Sequence, residues 1–409
     1  MTGAQLLALG HAAITKAHEL ILLGGLIGLS SILAGLVSRR VGAPMLLVFL
    51  ALGMIAGEDG VLGLPYDDFE SSYLIGSVAL AVILFEGGLK TPLSMFRLAF
   101  WPAAILATIG VAVTAAVLGA SAMFIDRVPL TGALLAGAAA APTDAAAVAV
   151  LLRRAGAALP ERLLALLEVE SGLNDPMSVF LTFLLMHLIA EPGSMGLGDA
   201  ALLFFKQMAG GAVFGLAGGW ALAQSLKHLR LEASLAAVLV LAGCLAVFGL
   251  AQLVGTSGFL ATYIAAVLTA AAQYRARQEV EHFFEGMAWL AQIVLFVMLG
   301  LLVTPHKLPP YLLGAVVGAG VLMFIARPVA VFACVLPFRF TLRETAFASW
   351  VGLRGAVPIY LSIIPGLADP NRDERLFASI FILVIASLLV QGWTVAPAAR
   401  LLGFARCPG

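Results

Sequence analysis

The chain has 409 residues, 62% of them apolar and 11% charged, with a mean hydropathy of +1.05. A soluble domain carries roughly 45–50% apolar and about 25% charged residues, so this chain has too few polar side chains to cover a water-exposed globule. Lys+Arg and Asp+Glu balance at 23 each, which leaves no excess charge pointing to nucleic acid. The cysteines Cys244, Cys334 and Cys407 are too scattered for a metal site or a disulfide framework.

A bilayer core about 30 Å thick takes about 20 apolar residues per helix. Apolar runs predict spans near 20–38, 43–57, 73–91, 97–124, 130–152, 162–190 and 200–226. A second group falls near 232–253, 257–274, 282–303, 310–336, 345–365 and 374–402, making thirteen. The runs lack a period-2 alternation, so helices rather than barrel strands are expected. Glycine, at 43 residues, suits close helix approach in lipid. The first eighteen residues show no clear cleavage site, and no removable signal peptide is expected.

The basic residues predict the orientation. Fifteen fall on one side: Arg39, Arg40, Lys90, Arg97, Arg153, Arg154, Arg162, Lys227, Arg230, Arg275, Arg277, Arg339, Arg343, Arg400 and Arg406. The other side collects five, Lys16, Arg127, Lys307, Arg372 and Arg375, with acidic stretches such as Glu58-Asp59 and Asp67-Asp68. The positive-inside rule then places the C-terminus in the cytoplasm and the N-terminus outside. Of the three basic residues left, Lys206 lies near a span end where its stem can snorkel. Arg327 and Arg354 fall inside apolar runs and need buried partners.

An ionisable group inside a span costs on the order of 2.5–3.5 kcal/mol by insertion scales unless it is paired or faces water. The acids inside predicted spans are Glu86, Asp144, Glu168, Glu170 and Asp175. In Glu170-Ser171-Gly172-Leu173-Asn174-Asp175-Pro176, helical spacing puts Ser171, Asn174 and Asp175 on one face, with Glu170 stacked on Asn174. Pro176 removes an amide donor and is expected to loosen the helix where a cation needs carbonyl oxygens. An Asn-Asp-Pro helix cap at a membrane boundary is the plainer reading, but apolar runs flank the motif on both sides.

A second segment, Ala141-Pro142-Thr143-Asp144-Ala145, predicts a break, because Pro142 interrupts the ladder and disfavours helix at the residue before it. Freed carbonyls, the Thr143 hydroxyl and the Asp144 carboxylate make a ligand set for a hard monovalent cation. A third interruption is expected at Gly352-Leu353-Arg354-Gly355-Ala356-Val357-Pro358. The two breaks occupy the fifth span of each of two six-span halves, about 20–190 and 232–402, joined by the span at 200–226. The predicted fold is therefore an all-α polytopic membrane protein of about thirteen helices, built as two inverted six-helix repeats with broken crossing helices. Glu86 lies toward the cytoplasmic end of its span, where an interfacial charge is the plainer reading, and Glu168 has no assigned role.

These motifs, in this order, resemble the transmembrane domain of a NhaP-type monovalent cation:proton antiporter of the sodium/proton exchanger superfamily. Phe85-Glu86-Gly87-Gly88 and Thr256-Ser257-Gly258-Phe259-Leu260 add to the likeness, which covers nearly all of residues 1–409 as one domain. The resemblance implies Asp175 as the carboxylate that binds cation and proton, with Asp144, Thr143 and Ser171 completing the shell and Glu86 approaching directly or through water. It implies Asn174 as organiser of the helix crossing, in place of a second aspartate found in electrogenic relatives. Glu170 would be a structural acid paired with Arg327 first, or Arg354. Sodium-exchanging relatives often carry proline directly after Thr-Asp, whereas Ala145 follows here and Pro142 precedes, which looks most like the potassium/proton branch. That branch often carries a cytosolic regulatory domain after the last span, and none is expected in residues 403–409.

The expected activity is electroneutral exchange of one monovalent cation, K+ or Na+, for one proton by alternating access, with no cofactor. A homodimer in a bacterial inner membrane is implied, with lipid and the exchanged ions as partners. A cation channel using the same acids is the alternative, and converging acids disfavour an organic anion. Gly255-Thr256-Ser257-Gly258 with His282 weakly resembles an intramembrane serine protease; Ser257 allowing close helix packing or capping a span is the simpler reading, and no enzyme is expected. His187 alone of the histidines looks deep in a span, in a packing role.

Overall fold

The structure, a computed structural model, describes residues 14, 18, 21–35, 44–125, 127–154, 156–229, 231–368 and 374–404. Lys16, Arg39, Arg40, Arg230, Arg372, Arg406 and Cys407 of the sequence reading lie outside them. The helices in order are α1 (Ile21–Gly35), α2 (Met45–Ala56), α3 (Phe69–Lys90), α4 (Leu93–Ile125) and α5 (Leu130–Ala140). There follow α6 (Ala145–Arg154), α7 (Glu161–Ala190), α8 (Leu197–His228), α9 (Ala233–Leu253) and α10 (Gly258–Ala271). The last are α11 (Arg277–Leu301), α12 (Pro309–Phe338), α13 (Leu342–Trp350), α14 (Ala356–Ala368) and α15 (Arg375–Leu401). Among the described residues there is no strand. Counted with α5/α6 and α13/α14 each as one interrupted span, the helices give the thirteen that hydropathy predicts.

Local chemistry sets several of the ends. The Asp68 carboxylate accepts from the Ser71 N–H at 2.9 Å and starts α3. Thr341 and Glu344 form a reciprocal capping box at α13. Ser257 accepts from the Leu260 N–H at 3.3 Å and caps α10, the plain role expected of it. His282 is exposed near the start of α11, and the 14 residues of α10, about 21 Å at 1.5 Å per residue, stand between the two.

The two halves repeat the same irregularities. In each, the fourth span contains a π-helical turn, Leu106–Gly110 in α4 and Leu322–Ala326 in α12. A proline lies close by in both, Pro102 before the first turn and Pro328 after the second. The fifth span is interrupted, and the sixth brings polar side chains to the interruption. Because α8 crosses once between two six-span halves, the second half starts from the opposite face, the inverted-repeat plan of many transporters.

Two expectations change. First, α7 runs unbroken through Pro176. The proline removes one amide, so only the Gly172 carbonyl loses its partner and the helix does not open. Second, His187 is exposed in the last turn of α7, 3.2 Å from the Ser194 hydroxyl. The 30 residues of α7 reach about 45 Å, beyond a bilayer core of about 30 Å, so its end leaves the apolar layer.

A stripe of glycines joins α8 to α10. Gly211, Gly215 and Gly219 face Ser257, Ala261 and Ala265, and a Cβ at Gly215 would stand 2.7 Å from the Ala261 carbonyl oxygen. Small residues one turn apart allow this approach. Gly215→Leu is expected to lower stability by about 1–3 kcal/mol through overpacking. Gly249→Leu, at a position with nothing within 4 Å, leaves the melting temperature unchanged. Equal melting of the two variants in detergent would refute the close packing of α8 on α10.

Candidate ion site

The site forms where the two interrupted spans meet. Between α5 and α6, Pro142 leaves residues 141–144 outside helix, and most of the freed backbone groups find partners. The Arg354 guanidinium donates to the carbonyls of Ala141 and of Pro142, the latter at 2.9 Å. The Ser171 hydroxyl donates to the Thr143 carbonyl at 2.8 Å and accepts from the Ala145 N–H at 3.2 Å. The Asp144 N–H donates to the Leu353 carbonyl at 2.8 Å, so one break is hydrogen-bonded directly to the other. The Asp144 carboxylate accepts from the Ala147 N–H at 2.9 Å, capping α6.

Beside this crossing, Glu170 takes the forked guanidinium of Arg327, at 2.9 and 3.0 Å. It also accepts from the Asn174 amide at 2.9 Å and from the Thr143 hydroxyl at 3.2 Å. Asn174 donates again to the Thr143 hydroxyl oxygen at 2.7 Å. Glu170, Asn174, Arg327 and Arg354 are all 4% exposed or less. Of the two arginines left open by the sequence, Arg327 is therefore the partner of Glu170, and Arg354 holds the break at Pro142 instead.

Asp175 differs sharply from Glu170, five residues earlier on the same helix. It is 7% exposed, and among the described residues its Oδ1 has no hydrogen-bond partner. Asp144 and Asp175 both line a cavity of about 220 Å³, with Thr143, Ser171 and Gly172. The cavity runs along the halves of α3, α6, α7 and α11 that lead to Lys90, Arg153 and Glu285, all three exposed. These are the ends that the sequence reading expects on the cytoplasmic side.

On the opposite side of the breaks the helices close. The Tyr360 hydroxyl lies 2.7 Å from that of Ser77, and its ring stacks on Tyr73 with centroids 5.7 Å apart. Phe259 packs edge-on against Tyr360.

Glu86 lines the cavity, but its carboxylate is ion-paired with Lys90 one turn on, and Lys90 also faces Glu285 at 3.9 Å. The structure thus brings together Asp175, Asp144, Thr143, Ser171, Asn174, Glu170, Pro142, Arg327 and Arg354. Glu86 lines the same cavity, with its carboxylate paired to Lys90. Sequence reasoning left Glu168 unassigned; it lines the same wall with a buried, unpartnered Oε2. It also missed Ser387 and Gln391, which touch the second break from α15. Their only signal is a pair of polar residues one turn apart in an apolar run.

A membrane-spanning helical protein whose two interrupted spans cross at acids in a one-sided cavity has the architecture of a secondary transporter. Residues 28–401 match the family described as "Sodium/hydrogen exchanger, transmembrane", and the chain belongs to that family. It is 42% identical to the K(+)/H(+) antiporter NhaP of Alkalimonas amylolytica, over 93% of this chain and 66% of that protein. It is 41% identical to the K(+)/H(+) antiporter NhaP2 of Shewanella sp. (strain ANA-3), over 94% of this chain and 67% of that protein. The chain thus spans about two thirds of the length of these relatives. The fold matches the solved structure of the sodium proton antiporter MjNhaP1 from Methanocaldococcus jannaschii with a TM-score of 0.81. Identity there is 22%, covering 94% of this chain and 100% of that one.

Removing one partner of a buried ion pair costs about 3–5 kcal/mol, because the other charge stays buried and unpaired. Glu170→Gln is therefore expected to lower the melting temperature in detergent markedly. An unchanged melting temperature would show that Arg327 does not depend on Glu170.

Proposed function

We propose that the chain exchanges a monovalent cation, potassium in preference to sodium, for a proton, by alternating access and without net charge movement. The observation that carries this reading is Asp175. It is buried, one oxygen has no hydrogen-bond partner among the described residues, and it shares a cavity with the carboxylates of Asp144, Glu86 and Glu168. Two carboxylates in such surroundings are stable only when a proton or a metal ion offsets part of their charge.

On this reading Asp144 stays charged throughout the cycle, and a cation between Asp144 and Asp175 leaves that pair with one negative charge. A proton on Asp175 leaves the same charge. The two loaded forms are then equally able to cross, and the empty site, with two, is not. That difference couples the ions and enforces exchange. The Thr143 and Ser171 hydroxyls keep a free lone pair each beyond their bonds to the crossing, and we assign these to the cation. Asn174 cannot titrate, and Glu170 is held by Arg327, so neither adds a second exchanging proton. The ions themselves suffice, and no cofactor is assigned.

The names of the relatives, and Ala145 rather than proline after Thr143-Asp144, support potassium. The single open end and the Tyr360–Ser77 closure favour exchange over a continuous channel. We assign the chain to a bacterial inner membrane, N-terminus outside and C-terminus cytoplasmic, as a homodimer. The halves at about 20–190 and 232–402, joined by α8, would act as one transport unit within residues 1–409, the broken spans moving against a static remainder.

In proteoliposomes, addition of potassium is expected to drive proton flux that saturates and generates no membrane potential. Asp175→Asn abolishes that flux while the protein melts as a folded chain. Ohmic current, or flux retained in Asp175→Asn, would overturn the assignment. Where the site is mostly protonated, competition raises the half-saturating potassium concentration about tenfold for each unit fall in pH. A half-saturation independent of pH would exclude a shared site.

A further inference from the structure

We propose that Gln391 is a positioning residue for the ion site: its amide braces the second helix break and, through that break, holds Asp144 in place for the cation. The inference rests on the exchange reading above and adds a residue outside the crossing to it.

Ser387 and Gln391 stand one turn apart in the apolar run of α15, 0% and 1% exposed. The Ser387 hydroxyl accepts from the Arg354 N–H at 3.2 Å and donates to the Gln391 carbonyl oxygen at 2.6 Å. The Gln391 amide nitrogen donates to the Trp350 carbonyl at 2.7 Å. Trp350 is the last residue of α13, and Arg354 lies two residues before α14. One side-chain pair therefore spans the interruption, holding a carbonyl before it and an N–H within it.

What this pair holds is in turn pressed against the first break. The Leu353 carbonyl accepts from the Asp144 N–H, and Arg354 donates to the carbonyls of Ala141 and Pro142. Gly355 abuts Asp144 so closely that a Cβ there would stand 2.9 Å from that of Asp144. Residues 351–355 cannot shift without moving Asp144. Partners that orient a metal ligand without touching the metal act at this remove.

The first half contains the matching arrangement. Ser171 and Asp175 are also four residues apart on a sixth span, and Ser171 bonds the break of its own half. Gln391 thus occupies in the second half the position that Asp175 occupies in the first. A carboxylate there, when ionised, has no hydrogen to donate to the Trp350 carbonyl and adds a charge to be neutralised. The amide donates, carries no charge and stays in place. One half exchanges ions and the other clamps it.

The test uses the full chain in proteoliposomes, with potassium-driven proton flux and the potassium-dependent rise in melting temperature both recorded. Gln391→Leu and Ser387→Ala are expected to raise the half-saturating potassium concentration by about tenfold, with the maximal rate nearly kept and the melting response shifted in parallel. Gln391→Glu retains an acceptor for Ser387 but must be protonated to donate to Trp350. Its half-saturation therefore matches wild type at acid pH and worsens relative to wild type as pH rises. If Gln391→Leu does not fold, Ser387→Ala and Gln391→Glu decide the matter. Unchanged half-saturation in these variants, or a fall in maximal rate alone, overturns the role of Gln391. A wild-type chain that shows neither flux nor melting response to potassium or sodium overturns the exchange reading, and this inference with it.

Discussion

The bond between Glu170 and Arg327 is the fixed point on which the crossing rests. A carboxylate inside a bilayer is tolerated when donors surround it, and Glu170 has four groups aimed at it from α7, α12 and the first break. That saturation removes it from ion chemistry and ties three elements to one another. Asp175, one and a half turns along the same helix, has an oxygen facing no donor at all. The distinction between Glu170 and Asp175, the acid proposed to exchange, is the number of hydrogens directed at each.

A second constraint follows from the lipid. Interrupted helices free backbone groups that hydrocarbon cannot satisfy, and nearly all of the freed groups named here are bonded. Some meet the other break, others meet Arg354, and the rest meet the sixth span of their own half. The crossing is for that reason a single hydrogen-bonded body. On the exchange reading proposed above, this body would move as a unit against α3, α10 and α11, and the contact to part on the closed side would be Tyr360 on Ser77 and Tyr73. Glycine stripes such as Gly211, Gly215 and Gly219 keep the surrounding helices close without polar bonds.

Several features were legible from residues alone, because each leaves a local signature. An apolar run of span length, a proline or glycine pair inside it, and an acid where none is cheap all read directly in one dimension. They located the spans, both breaks, Asp144, Asp175 and the Glu170–Asn174 stack. Where the local signature pointed the wrong way, geometry explains it. Pro176 frees a single carbonyl in an otherwise intact helix, and His187 lies beyond the apolar layer because α7 is long. Glu86, by contrast, lines the same cavity as the two aspartates, with its carboxylate paired to Lys90 one turn on.

The composition and its periodicity determined by themselves that this chain crosses a membrane many times with uncompensated charges inside. Which charges cancel was decided only by the tertiary structure. Glu170 and Arg327 are 157 positions apart, and Arg354 lies 212 positions from the proline whose carbonyl it holds. No spacing rule reaches that far, because such partners are chosen by how helices cross and not by which residues follow one another. The same crossing leaves one oxygen of Asp175 without a hydrogen-bond partner among the described residues and gives Gln391 its two.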